Sequence, residues 1–110
     1  MPFIELGDFS EHEPIPGYRV RFVHSASMTF AYWAIAAGAE LPEHSHPHEQ
    51  VAHVLEGEFE LVIAGERQRL RPGMVAIIPS NATHSGRAVS NCRLLDAFHP
   101  VREDYVAKWR

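Results

Sequence analysis

The sequence holds a single cysteine, Cys92. No disulfide can form within the chain, and a reducing, cytoplasmic setting is expected. Basic runs are missing as well. Ten Lys and Arg face fourteen Asp and Glu, a formal net charge of −4, so the electrostatic footprint that nucleic acid or an anionic membrane requires is absent. The longest apolar stretch, around Ala34 to Ala37, is far too short to span a bilayer. The opening residues from Met1 to Glu13 have neither a basic start nor an apolar middle, so no secretory signal is expected. There is no Gly-rich phosphate loop, which argues against a nucleotide. Repeats, low-complexity tracts and linkers are also lacking.

What is present fits one domain covering residues 1–110. A 12.4 kDa chain that is 45% hydrophobic and 22% charged has ordinary globular composition rather than that of a disordered segment. Size scaling gives a folded surface of roughly 6,000 Å² against roughly 18,000 Å² unfolded, enough burial for one sandwich, bundle or barrel core. Gly and Pro recur at short intervals, at Pro14, Pro16, Gly17, Gly38, Pro42, Pro47, Gly57, Gly65, Pro72, Gly73, Pro79 and Gly86. Between them lie short runs rich in Val, Ile, Phe, Tyr and Trp. These predict strands over Tyr18–His24, Met28–Ala37, Val51–Leu55, Glu58–Ala64, Met74–Pro79 and Arg93–Phe98, with weaker ones at Gln68–Leu70 and Thr83–Ala88. Evenly punctuated β-rich runs predict an all-β sandwich or barrel.

Local chemistry supports that reading. Gly57 and Gly65 stand where hairpins need positive φ, and Pro72-Gly73 separates two runs. Phe59, Leu61 and Ile63 alternate with Glu58, Glu60 and Val62, the period of a half-buried strand. Only the last ten residues suggest a helix, since Val101, Tyr105 and Trp109 recur every four residues between charged ones. A short helical turn packed over the β core is expected there.

Eight histidines are the unusual feature of the composition, because neutral imidazole is the commonest metal ligand. They are densest in His44-Ser45-His46-Pro47-His48-Glu49-Gln50. Two His one residue apart on a strand share a face, so both rings can approach one ion. A third, His84, follows Pro79-Ser80-Asn81-Ala82-Thr83 at the start of a separate run.

These stretches resemble the paired motifs of the small metal-binding cupins. The first motif is a Gly, five residues, His-x-His, a short gap, an acid or amide, six residues and a Gly. Here it runs from 38 to 57 as Gly38, His44, His46, Gln50 and Gly57, with every spacing kept. The second runs from 73 to 84 as Gly73, Pro79, Asn81 and His84. Asn81 replaces a Gly, a mild change because Asn tolerates positive φ, and the Asn that usually closes the motif is Ala88 here. The resemblance implies the cupin double-stranded β-helix, a jelly-roll barrel. It also implies a divalent metal, Zn, Ni, Fe or Mn, held by His44, His46, Gln50 and His84.

Many metal cupins carry Glu at the position of Gln50, and Glu49 sits beside it as a competing ligand. Gln adds no charge, so three imidazoles and an amide would leave the full 2+ of the ion at the site. That favours polarising oxygen atoms of a bound molecule over Fe(II) oxygen chemistry, which usually has a carboxylate beside the His. His48 has the parity of His44 and His46, but Pro47 interrupts ladder pairing, so it is left outside the ligand set. His12 and His24 are expected at the surface or in loops, and His53 in a structural role.

A second cluster lies at the far end. On one strand Leu94, Asp96 and Phe98 share a face. An Asp between large apolar residues is costly unless it is exposed or lines a polar site. Arg102 follows, with a planar fork suited to a carboxylate. The pattern Asp96-x-Phe98-x-Pro100-x-Arg102-x-Asp104-Tyr105, together with the upstream His segment, is similar to that of the KdgF-type pectin-degradation cupins. These ketonise unsaturated uronates. The resemblance implies Asp96 and Arg102 as reaction residues, Phe98 and Arg102 against the substrate, and a small anionic sugar as partner. The contrary expectation for Asp96 and Arg102 is a surface ion pair on an edge strand, worth little.

The implied reaction is metal-dependent conversion of 4,5-unsaturated monouronates, left by pectin or alginate lyases, into linear ketonised uronates. Two other functions fit the same residues: an Fe-dependent dioxygenase using Glu49, and a non-catalytic module that binds metal and a sugar acid. A homodimer is also expected, with Tyr18–His24 as the edge strand to be covered by a partner.

Overall fold

The computed structural model describes residues 2–109. A 3-10 turn at Leu6–Asp8 precedes ten strands and one helix. The strands are β1 (His12–Ile15), β2 (Tyr18–His24), β3 (Thr29–Ile35), β4 (Glu40–His44), β5 (Glu49–Glu56), β6 (Phe59–Ile63), β7 (Glu66–Leu70), β8 (Val75–Ile78), β9 (His84–Ala88) and β10 (Cys92–His99); helix α1 is Glu103–Lys108. They form two antiparallel sheets: a six-stranded one in the order β1-β2-β3-β10-β5-β8 and a four-stranded one in the order β4-β9-β6-β7. This is the jelly-roll arrangement that the motif resemblance implied. The accessible surface, 6573 Å², is near the roughly 6,000 Å² that mass scaling gives for a compact domain.

Alternation makes the sheets two-faced. In β2, Tyr18, Val20 and Phe22 point inward, and in β10 so do Cys92, Leu94, Asp96 and Phe98. The main core joins Tyr18, Ile35, Val54 and Leu94 of the larger sheet to Phe59, Leu61 and Leu70 of the smaller. Val20 and Ile78 are wholly buried, each removing a side chain from water for roughly 1.5–3 kcal/mol. A second cluster of Val20, Phe22, Ala31 and Phe98 is covered by Tyr105 and Trp109, which is how the expected helical turn, six residues long, packs onto the barrel.

Turn chemistry follows the sequence closely. Ala64 and Gly65 have φ of 47° and 85°, the two positive values a tight hairpin between β6 and β7 requires. Asn81 has φ 65°, the left-handed backbone expected where Asn replaces Gly. At Gly57 the backbone oxygen of Asn91 occupies the space a Cβ would need.

One strand appears that the sequence did not predict, and two expectations are corrected. The Pro14–Gly17 segment carries turn residues, and Pro14 cannot donate to a ladder, yet β1 forms there because edge strands accept such a residue; its pairing with β2 is irregular between His12 and Ile15. Consequently Tyr18–His24 is no edge strand, since β2 is hydrogen-bonded on both sides, to β1 and β3. His12 and His24, expected in loops or at the surface, lie on β1 and β2, where both rings stack near Phe22, and His24 Nδ1 is 2.8 Å from the Thr29 hydroxyl.

Candidate metal centre

The site lies at one end of the barrel, between the sheets. His44 ends β4 and His84 begins β9, and the two are register partners, so their ring centroids stand 4.1 Å apart. His46 reaches the same point from a different position. It lies past the end of β4, in the connection to β5, rather than two residues along a strand as the spacing suggested. Pro47, which cannot continue a ladder, keeps the backbone out of the sheet there. The His46 centroid is 5.8 Å from His44 and 5.0 Å from His84. Among the described residues, these three offer ligand atoms all within 4.8 Å of one another.

Backbone carbonyls fix how the rings present themselves. Nδ1–H of His44 donates to the Pro42 carbonyl at 2.8 Å, that of His46 to the His48 carbonyl at 3.0 Å, and that of His84 to the Ala82 carbonyl at 2.9 Å. A carbonyl can only accept, so in each case Nδ1 carries the donated proton, and a neutral ring then keeps its lone pair on Nε2. The same outer bonding is what orients metal-bound histidines generally. Burial, with Arg102 and His84 nearby, pushes His46 down to about 4. His84 is also lowered, first by burial. Both rings are therefore neutral at pH 7, the form that ligates.

Three acceptor atoms here lack a donor, a need that a bound cation would meet. His84 Nε2 is buried without a hydrogen-bond partner. His46 Nε2 lies 3.1 Å from Gln50 Oε1; with the His46 proton on Nδ1, both are acceptors facing each other. Gln50, buried on β5, brings a fourth donor atom to the group, whereas its neighbour Glu49 is solvent-exposed on the opposite face. The carboxylate that a dioxygenase-type site would need is thus turned away from the histidines. His48 contributes its backbone carbonyl to His46, and His53 stands on the outward parity of β5.

Asp96 and Arg102 open onto the same cavity of about 100 Å³ as His44, His46, Gln50 and His84, several times the space one water needs. The surface ion pair on an edge strand does not describe them. β10 is flanked by β3 and β5, and both side chains are buried. Burial raises the Asp96 carboxyl to about 6, against the opposing pull of the Gln50 amide, the Trp33 indole and the Arg102 charge. Trp33 Nε1–H donates to Asp96 Oδ2 at 3.0 Å, while Oδ1 is buried with no partner. Trp33 is a site residue that no sequence motif marks. It sits two positions along β3 from Ala31, the register partner of Asp96, a diagonal neighbour visible only once the register is known.

Arg102 packs into the corner of two crossed rings, with Cζ 4.8 Å from the Phe98 centroid and 3.9 Å from that of Tyr105. Its backbone N–H donates to the Thr29 hydroxyl. Phe98 also meets His46 edge-on, centroids 5.6 Å apart, and so joins the metal centre to the arginine. A His group that could hold a cation, a buried carboxyl and a guanidinium thus line one cavity.

Comparison with known proteins agrees with this geometry. Residues 31–98 match the cupin domain family. The pectin degradation protein KdgF of Dickeya dadantii is 36% identical over 107 residues, covering 96% of this chain and 91% of that protein. The structure of KdgF from a Halomonas species superposes with a TM-score of 0.87 at 26% identity, covering 94% of this chain and 97% of that one. An RmlC-like cupin from Shewanella frigidimarina superposes at 0.89 with 25% identity over 96% of each chain.

Proposed function

The chain belongs to the cupin domain family, and from that premise we propose that it ketonises 4,5-unsaturated monouronates released by pectin or alginate lyases. The observation that carries this reading is the meeting of three imidazoles with Asp96 and Arg102 in one cavity, in a chain similar along almost its whole length to a pectin degradation protein. His44, His46 and His84, with Gln50, would hold a divalent first-row ion. Such an ion, carrying its full 2+ charge among neutral ligands, stabilises negative charge developing on substrate oxygens.

The residues of the chain account for the remainder. Arg102 pairs with the substrate carboxylate and Phe98 walls the sugar. In the substrate, the C4=C5 double bond adjoins the ring oxygen. Opening the hemiacetal breaks the bond between C1 and that oxygen; the proton leaving the C1 hydroxyl is balanced by one gained at the ring oxygen, giving an aldehyde and a C5 enol. The enol then loses its hydroxyl proton while C4 gains one, leaving a C5 ketone. Proton count and oxidation state are unchanged, so neither oxygen nor a redox cofactor is consumed. Asp96, with a carboxyl held near 6 by burial against its Gln50 and Trp33 contacts and with Oδ1 making no hydrogen bond of ordinary geometry, is suited to carry protons to and from the sugar near neutrality. Trp33 holds the other oxygen and so sets which one faces the substrate.

The test is direct. Metal-loaded protein mixed with 4,5-unsaturated galacturonate should speed the loss of the double bond's ultraviolet absorbance well beyond buffer with metal alone. No acceleration would overturn the proposal. Oxygen uptake coupled to that loss would instead identify dioxygenase chemistry.

A further inference from the structure

Arg102 is a cation with only 8% of its side chain exposed, and a buried charge needs a partner. That partner is Asp104. Nε–H donates to Asp104 Oδ1 at 3.0 Å and Nη2–H to Oδ2 at 2.7 Å, two parallel bonds along one edge of the guanidinium. Arg102 lines the cavity, whereas Asp104 does not and its side chain is 57% exposed. The edge that Asp104 grips is therefore the outer one. A guanidinium has five N–H donors in a rigid fork, so the adjacent edge, formed by Nη1 and the second Nη2 proton, lies outside the Asp104 contact. Phe98 and Tyr105, their rings crossed at 85° with centroids 6.0 Å apart, form a corner against the guanidinium that limits how the fork can swing. The Asp104 carboxyl is held below its ordinary range, chiefly by its bonds to Arg102, so it is ionised and keeps its grip throughout the neutral range.

We propose that Asp104 is a positioning residue, which fixes the outer edge of Arg102 and so presents the inner edge as a pre-oriented fork for the carboxylate of the substrate. This rests on the uronate reading, and deepens it by naming how the carboxylate is selected. Orientation and charge pull in opposite directions here, which makes the idea testable. Removing Asp104 frees the fork, so that ordering it on binding costs entropy, but it also removes a negative charge that repels an anion. Positioning predicts weaker binding of carboxylates; simple charge balance predicts tighter binding.

The experiment is calorimetric titration of the metal-loaded protein with D-galacturonate and, as the neutral control, D-galactose. In the wild type, galacturonate should bind at least tenfold more tightly than galactose. Asp104→Asn should weaken galacturonate about tenfold, leave galactose within twofold and leave metal content unchanged. In an Arg102→Ala background the same change should have no further effect, since the two residues act through one contact. Asp104→Glu, which keeps the charge and a carboxylate within reach, should recover part of the loss. Unchanged or tightened galacturonate binding in Asp104→Asn overturns the proposal, as does an equal loss in the Arg102→Ala background. Wild-type protein that binds galacturonate no better than galactose overturns both this and the uronate reading. Tight carboxylate binding without ketonisation overturns the reaction alone.

Discussion

Asp96→Asn separates the needs of the fold from the needs of the reaction. The carboxyl is 7% exposed, and burial lifts its pKa from 3.8 to about 6. Below pH 3.8 it is protonated in both folded and unfolded chains and costs nothing. Between 3.8 and 6 the unfolded chain releases its proton while the folded chain keeps it, so stability falls across that window and levels off above it. The gap of about two pH units corresponds to roughly 3 kcal/mol at 1.36 kcal/mol per unit. Asparagine has no proton to lose, and its oxygen can still accept from Trp33. In chelator-treated protein, the variant should therefore match the wild type at pH 4 and exceed it by up to about 3 kcal/mol at pH 7, on the order of 10 °C in Tm for a domain of this size. Urea or thermal unfolding across that range measures it. Ketonisation by the metal-loaded variant should meanwhile fall by roughly 10²–10⁴-fold, the usual worth of a positioned acid. A stability difference that does not change with pH, or turnover that survives the substitution, would refute the role given to Asp96.

Other consequences concern the barrel and its charges. Gly86→Ala would drive a Cβ against the Phe59 ring and the Glu60 carbonyl; we expect a loss of about 1–3 kcal/mol, read as a lower urea midpoint. Because Arg102 depresses the Asp104 carboxyl, the stabilisation from that pair is present above the ordinary carboxylate pKa and lost as pH falls through the lowered one. The Asp104 carboxyl-carbon resonance should accordingly titrate below the ordinary carboxylate range; a midpoint at or above that range contradicts the pairing. Val75 and Ile77 are exposed by 51% and 64% on edge strand β8, a surface that invites a second copy. Light scattering should return about twice the 12.4 kDa of the chain, and a monomer mass refutes the dimer.

Much of this architecture is legible in residue order, for identifiable reasons. β2 and β10 alternate so cleanly that Tyr18, Val20 and Phe22, or Leu94, Asp96 and Phe98, declare a common face by their spacing alone. β4 is illegible in the same terms: Pro42 and an irregular register between Leu41 and His44 break its alternation, so His44 is recognisable by motif spacing and not by its strand. The same spacing leads to His46 for a reason the fold replaces, since that ring arrives from a loop. Trp33 and Asp104 stay hidden because their roles depend on a diagonal cross-strand contact and on a helix entry that folds back on Arg102. Neither leaves a periodic trace. The Arg-x-Asp-Tyr sequence is the only local sign that Arg102 already has a partner.

The most direct test of the whole account is the metal content of the dialysed protein, measured by elemental analysis against chain concentration. One equivalent of divalent ion per wild-type chain, falling below a tenth in a folded His44→Ala/His84→Ala variant, is the predicted result. Wild-type protein that takes up no stoichiometric ion when offered Zn, Ni, Fe or Mn, or a double variant that still retains one, would contradict it.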